Sequence, residues 1–267
     1  AGGRGAGPGS SMGALIGGIH AAGKLDAYRD WVLALRRADV LRFIDLAFRP
    51  GGLIKGDRII ETLRAMVGEH QIQDLPIRFV AVATDLERQR EVWFSRGPLF
   101  DAIRASIAVP TIFTPHQYQG KMLVDGGLLN PVPIAPTFGD LTDCTIAVNL
   151  NGPPENRAND GGFEAHSQTS RPDGLRGRIL EFLDSLGEQR EDADEDEEIG
   201  FFELITQSFE TMQDAIAAMK LAAYAPDVVI DIPRDSCQAH EFHRASEMIE
   251  LGQRLAEAAM KGRNQTH

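Results

Sequence analysis

The sequence predicts an α/β fold, a three-layer sandwich in which a mainly parallel central sheet is flanked by helices. Two observations lead to this prediction. Short apolar runs typical of buried strands alternate along the chain with longer stretches of helical spacing. The chain also has 267 residues, 43% of them hydrophobic, which suits one large α/β domain with a sizeable core.

Up to residue 95, the chain contains three predicted helices and two predicted strands. After a glycine-rich start, a small-residue apolar pattern over 11–23 predicts a helix, and a second helical pattern covers 28–46. A third helix, with an acidic residue at its start, is expected over 57–67. The apolar run 77–84 predicts a buried strand, and 91–95 predicts a strand paired with it.

The rest of the chain continues the alternation of predicted helices and strands around a long polar segment. Residues 152–177 are rich in Gly, Pro, Asn and Ser, a short helix is predicted over 179–186, and 188–198 is an acidic run. We therefore expect a single domain over 1–267 with a flexible acidic insertion around 152–200. The other elements predicted here are a helix at 98–108, strands at 121–124, 144–150 and 228–232, and helices at 201–224 and 245–260.

Charge and composition restrict the classes of function. The formal net charge of −12 disfavours nucleic-acid binding, which requires clustered Lys and Arg. No apolar run approaches the length of a membrane span, so contact with a membrane is expected to be transient and peripheral. The two cysteines, Cys144 and Cys237, form no disulfide framework and favour a reducing, cytoplasmic location.

Gly9-Ser10-Ser11-Met12-Gly13 matches the G-x-S-x-G pattern of a nucleophile elbow. In such an elbow the serine lies on a sharp strand-to-helix turn, and the flanking glycines leave room for its strained backbone. The hydroxyl then points outward at the helix N-terminus, where the dipole favours an oxyanion. An ordinary glycine turn is the alternative interpretation of the same residues.

Two further segments are candidates for the same site. Gly2-Gly3-Arg4-Gly5 is a run of backbone amides that could stabilise a developing negative charge, although a flexible terminus or a phosphate nest fits it equally. Asp125 follows a predicted strand and precedes Gly126 and Gly127. A carboxylate at that edge of a sheet lies where α/β enzymes place their sites, and a hairpin turn is the alternative.

Taken together, these motifs resemble those of the bacterial patatin-like phospholipases, relatives of plant patatin and of the catalytic domain of cytosolic phospholipase A2. The resemblance covers nearly the whole chain and keeps the order of the family's motifs. It is carried by residues 2–5 with 9–14, 105–115, 123–133 and 226–230.

The resemblance implies a patatin-like fold and a lipid acyl hydrolase with a Ser-Asp dyad, acting on phospholipids or other fatty-acyl esters. Ser11 would be the nucleophile and Asp125 its base, with an oxyanion hole formed by the segment Gly2, Gly3, Arg4 and Gly5. An acyl-enzyme would form and be hydrolysed, with no cofactor and no metal. The stretch 105–115 would pack beside the site. An acyltransferase, or a non-catalytic lipid-binding module of the same fold, is the alternative function.

Two points qualify the correspondence with the family. In the family a helix and a strand separate the glycine loop from the elbow, whereas here only residues 5–8 lie between Arg4 and Gly9. We therefore expect that residues are absent before Ala1 and around 6–9, and that the elbow lacks its strand. His240 or His243 could also complete a conventional Ser-Asp-His triad, or join Cys237 in a weak metal-binding pattern; we expect surface histidines.

Overall fold

The computed structural model describes residues 7–36, 39, 54–139, 142–154, 195–237 and 241–264. Its strands are β1 (Gly7–Ser10), β2 (Phe79–Asp85), β3 (Arg90–Phe94), β4 (His116–Tyr118), β5 (Lys121–Asp125), β6 (Ile146–Gly152) and β7 (Val228–Pro233). Its helices are α1 (Met12–Ala21), α2 (Leu25–Ala34), α3 (Asp57–Val67), α4 (Leu99–Ser106), α5 (Glu195–Tyr224) and α6 (Ala245–Asn264). The predicted α/β class is confirmed.

Strand β2 is the centre of the main sheet because three strands pair with it. One edge of β2 pairs antiparallel with β3 over Ala81–Asp85. The opposite edge is shared by two strands: β1 runs parallel to residues 79–82, and β5 runs antiparallel to residues 83–85. The carboxyl ends of β1 and β5 therefore converge between Val82 and Ala83.

Strand pairing in the described part of the chain is mixed. The pairs β1–β2 and β6–β7 are parallel, whereas β2–β3, β2–β5 and β4–β5 are antiparallel. The turn between β4 and β5 explains one of the antiparallel pairs. Gln119 and Gly120 both have positive φ, at 49° and 73°, as a two-residue type I′ hairpin requires.

The main hydrophobic core lies on one face of β2, between the sheet and helices α1 to α4. Phe79, Ala81 and Ala83 point toward this core, as the two-residue period of a strand dictates. Phe79 and Ile103 are at most 1% exposed, and burying side chains of this size contributes about 1.5–3 kcal/mol each. The core therefore fixes α1 and α4 against β2.

A smaller apolar cluster joins α5 to the second sheet. Ala217 of α5 packs with Ala147 of β6, Val132 and Ile134. The Lys220 side chain of α5 also donates a hydrogen bond to a carboxylate of β3. Helix α5 thus packs beside the loop that follows β5.

Several element boundaries differ from the predictions. β1 was not expected, yet Gly7–Ser10 forms a strand because its backbone pairs with β2, and this requires no apolar side chains. The expectation that the elbow lacks its strand is therefore wrong. The helix predicted over 28–46 ends at Ala34, and residues 37–53 other than Asp39 lie outside the described residues. Helix α5 begins at Glu195, within the acidic run, where carboxylates favour a helix N-terminus.

Residues 155–194, most of the predicted acidic insertion, lie outside the described residues.

Candidate active site

Ser11 lies on the turn between β1 and α1, directly before the first residue of the helix. Its φ and ψ are 53° and −123°, a conformation that residues with a side chain rarely adopt. Such a backbone costs on the order of 1–3 kcal/mol and persists only where the surrounding structure enforces it. The predicted strand-to-helix turn is therefore present, and Ser11 is the strained residue in it.

The two glycines of the G-x-S-x-G pattern have different surroundings. A Cβ at Gly9 would lie 2.3 Å from the backbone C and O of Gly13, whereas a Cβ at Gly13 would meet nothing within 4 Å. The tight turn therefore requires a glycine at the first position of the pattern because β1 passes directly against the first turn of α1. The second position carries no such requirement.

Asp125 ends β5 and is 1% exposed. Its amide donates to the carbonyl of Ala108 at 3.0 Å, and its Oδ1 accepts the Gly127 amide at 2.6 Å. Asp125 thereby caps the short 3-10 helix Gly126–Leu128, so the alternative of a hairpin turn at Asp-Gly is not what forms. The stretch 105–115 touches this residue through Ala108.

Ser11 and Asp125 meet because two strands converge on β2. Ser10 pairs with Val82 and Asp125 pairs with the next residue, Ala83, on the same edge. Gly126 permits the close approach, since a Cβ there would lie 2.1 Å from the Val82 carbonyl oxygen. The structure thus brings together the two residues that the sequence analysis assigned as nucleophile and base.

The environment of Asp125 alters its ionisation. Burial raises its pKa to about 6, while the Ser11 hydroxyl and the Gly127 amide favour the carboxylate and act in the opposite direction. Oδ2 has no hydrogen-bond partner of regular geometry within the described residues. The Ser11 hydroxyl therefore favours the carboxylate without forming a hydrogen bond of regular geometry to Oδ2.

A buried polar network borders the elbow on the other face of β2, and the sequence analysis did not identify it. The Ser10 hydroxyl donates to the carbonyl of Asn130 at 2.6 Å, and the Asn130 side-chain amide donates to Glu91 at 2.9 Å. Lys220 of α5 donates to the same carboxylate at 3.1 Å. This network links α5 and β3 to the residue before Ser11. Its members are scattered over 210 positions of the sequence, so no local motif could have revealed it.

The other predicted site residues lie either outside the described residues or away from the elbow. The proposed oxyanion segment, Gly2, Gly3, Arg4 and Gly5, lies outside the described residues, as does His240. His243 lies on the short helix Phe242–Arg244, which packs against α2 and α6. Among the described residues, the groups that act on the charge of Asp125 are Ser11 and Gly127.

The described residues contain neither a cluster of metal ligands nor a membrane-spanning helix. They contain no group of three or more His, Cys, Asp or Glu side chains arranged to hold a metal ion. None of the helices in the described ranges combines the length and apolar content that a membrane crossing requires.

Comparison with known proteins identifies the family of the chain. Residues 9–138 match the family model of the patatin-like phospholipases, a range that begins at the elbow and includes Asp125. An uncharacterised NTE family protein of Mycobacterium tuberculosis is 37% identical over 295 residues, which covers 95% of this chain and 82% of the relative. The chain belongs to the patatin-like phospholipase family. A protein of Mycobacterium bovis from the same NTE family shows the same identity and coverage.

More distant relatives resemble only part of the chain. A protein named lysophospholipase nte1 from Emericella nidulans is 29% identical over 154 residues, covering 55% of this chain and 10% of that much longer protein. The mycobacterial alignment spans 295 positions, more than the 267 residues of this chain. The mycobacterial relatives therefore carry residues that have no counterpart in this chain.

Proposed function

We propose that this chain is a lipid acyl hydrolase that cleaves fatty-acyl esters through Ser11 as nucleophile and Asp125 as general base. The observation that carries the proposal is the convergence of a strained serine and a buried carboxylate of raised pKa at the ends of two strands. A structural Asp-Gly turn needs neither feature. Strained backbone and shifted pKa values cluster at functional sites because chemistry, not stability, requires them.

The reaction proceeds in two steps of acyl transfer. The Ser11 oxygen attacks the ester carbonyl carbon as its proton passes to Asp125, and a tetrahedral oxyanion forms. When that intermediate collapses, the C–O bond to the alcohol breaks, and the leaving alcohol takes the proton from Asp125. Water then attacks the acyl-enzyme with Asp125 again accepting the proton, which returns to Ser11 as the fatty acid leaves.

The burial of Asp125 makes an aspartate suitable for this role. A carboxylate with an ordinary pKa near 4 is a weak base. With a pKa of about 6, Asp125 is a stronger proton acceptor and is still mostly ionised at neutral pH. The strand ladder on β2 holds it in place, so no histidine is needed to transfer the proton.

The class of substrate is inferred from the family. The family is described as patatin-like phospholipases and one distant relative is named a lysophospholipase, so we assign phospholipids, lysophospholipids or similar fatty-acyl esters to this site. Glycine amides of residues 2, 3 and 5 are the expected donors to the oxyanion, with Arg4 beside them. Their contribution, about 3–4 kcal/mol for a single donor in a known hydrolase, would complete the machinery. The substrate would be taken from a lipid surface by transient contact.

The experiment that tests this function is covalent labelling with a fluorophosphonate, followed by product analysis. We expect Ser11 to be the labelled residue and Ser11→Ala to lose both labelling and release of fatty acid from a lysophospholipid. Ser95→Ala, which changes an exposed serine after β3, is the matched control and keeps both. Absence of labelling in the unmodified chain would favour a lipid-binding module instead. Transfer of the acyl group to an added alcohol in preference to water would favour an acyltransferase.

A further inference from the structure

Ser106, the last residue of α4, is fully buried and bridges two backbone groups at the elbow. Its hydroxyl accepts the amide of Ser11 at 3.0 Å and donates to the carbonyl of Val82 at 2.6 Å. The residue thus connects the nucleophile directly to β2. A hydroxyl can play both roles at once because it carries one donor and two acceptor sites.

The position of the Val82 carbonyl explains why a hydroxyl is needed there. In a continuous ladder, a strand carbonyl accepts from the neighbouring strand. At Val82 that neighbour changes from β1 to β5, since β1 ends opposite Val82 and β5 ends opposite Ala83. The Ser106 hydroxyl supplies the donor that the break between the two strands removes. It also supplies an acceptor for the amide of Ser11, where the chain leaves the sheet.

We propose that Ser106 is a positioning residue that holds Ser11 in its left-handed conformation. This proposal rests on the assignment of Ser11 as the nucleophile. With φ at 53°, the backbone of Ser11 is stable only if its amide keeps the partner that this conformation provides. Without the Ser106 hydroxyl, the amide of Ser11 and the buried carbonyl of Val82 each lose a hydrogen bond. The turn can then relax toward negative φ, which moves the Ser11 hydroxyl away from Asp125.

Three variants of Ser106 and one control test the proposal. Ser106→Ala removes the hydroxyl, Ser106→Cys keeps the volume with a weak hydrogen-bonding group, and Ser106→Thr keeps the hydroxyl. Thr84→Val is the matched control because Thr84 is a buried residue of the same strand as Val82, and its hydroxyl has no partner within the described residues. The measurements are the rate constant for fluorophosphonate labelling of Ser11, kcat and KM, each on folded, monodisperse protein.

We expect Ser106→Ala and Ser106→Cys to lower kcat and the labelling rate constant by about 10- to 100-fold. A change of this size corresponds to the free energy of the Ser11 backbone strain that the hydroxyl helps to offset. KM should change little, because the groups that bind substrate are untouched. Ser106→Thr should recover most of the rate, and Thr84→Val should match the unmodified chain. The pH at which the rate is half-maximal should stay the same, since Asp125 remains the base.

A labelling rate constant of the Ser106→Ala protein equal to that of the unmodified chain, even with reduced thermal stability, would assign Ser106 a purely structural role and overturn the proposal. If Ser106→Ala does not fold, the comparison of Ser106→Cys with Ser106→Thr decides in the same way. Failure of the proposed function is distinguishable, because the unmodified chain would then not be labelled at all.

Discussion

Ser10 and Asp125 end two strands that run toward each other along one edge of β2, where their partners Val82 and Ala83 are consecutive. This relationship places the residue after Ser10 beside the Asp125 carboxylate. Neighbouring residues of a single continuous strand could not meet in this way, because successive side chains point to opposite faces of the sheet. The convergence of the ends of two strands, β1 and β5, is therefore the structural origin of the candidate dyad.

The first prediction concerns the base. Asp125→Asn keeps the shape of the side chain but removes the proton acceptor, so kcat should fall by about 10²–10⁴-fold, with KM little changed. In the unmodified chain, kcat should rise with pH through one ionisation near the Asp125 pKa of about 6, and this step should be absent from the variant. Steady-state rates measured from about pH 4.5 to about pH 8, roughly two pH units on either side of that pKa, test this.

His243→Ala is the control for this prediction, since His243 is not among the described groups that act on the charge of Asp125. It should keep both the rate and the pH profile. A loss comparable to that of Asp125→Asn would instead indicate a conventional triad.

The second prediction concerns stability. The pKa of Asp125 is raised from 3.8 to about 6 in the folded chain. Between these values the folded state keeps a proton that the unfolded state has released, so rising pH lowers the free energy of unfolding. The loss is complete above the folded pKa and amounts to at most about 3 kcal/mol. Asp125→Asn abolishes this titration.

Chemical denaturation of both proteins at low and neutral pH measures the effect. The stability of the variant relative to the unmodified chain should increase from about pH 4 to pH 7, because the other titrating groups are common to both proteins. A relative stability that does not depend on pH would show that burial does not perturb Asp125.

The third prediction contrasts the two glycines of the elbow. Gly9→Ala places a methyl group 2.3 Å from the Gly13 backbone, so the turn must shift. A loss of about 1–3 kcal/mol in unfolding free energy is expected, as in overpacked cores. Gly13→Ala meets open space in the first turn of α1, and alanine is the better helix former by about 0.5–1 kcal/mol. Thermal unfolding measurements should therefore show a lowered Tm for Gly9→Ala only. Equal effects would contradict the different packing of the two positions.

Much of the fold could be predicted from local patterns. The apolar run of β2 and the helical spacing of α3 are properties of neighbouring residues, so period and capping were enough to find them. Strand β1 could not be found in this way. Gly7 and Gly9 carry no side chains to show a period, and the strand exists only because β2 offers a hydrogen-bonding edge.

The sequence by itself predicted the candidate residues: Ser11 from its glycine-rich turn, Asp125 from its position before two glycines, and the roles of both from the family resemblance. Tertiary structure alone decided that these residues meet, since the register on β2 brings together positions 114 residues apart. It also placed the Ser106 hydroxyl against the Val82 carbonyl, at the point where the strand paired with β2 changes from β1 to β5. Hydrogen-bond satisfaction in a buried site depends on the folded geometry, which no local pattern encodes.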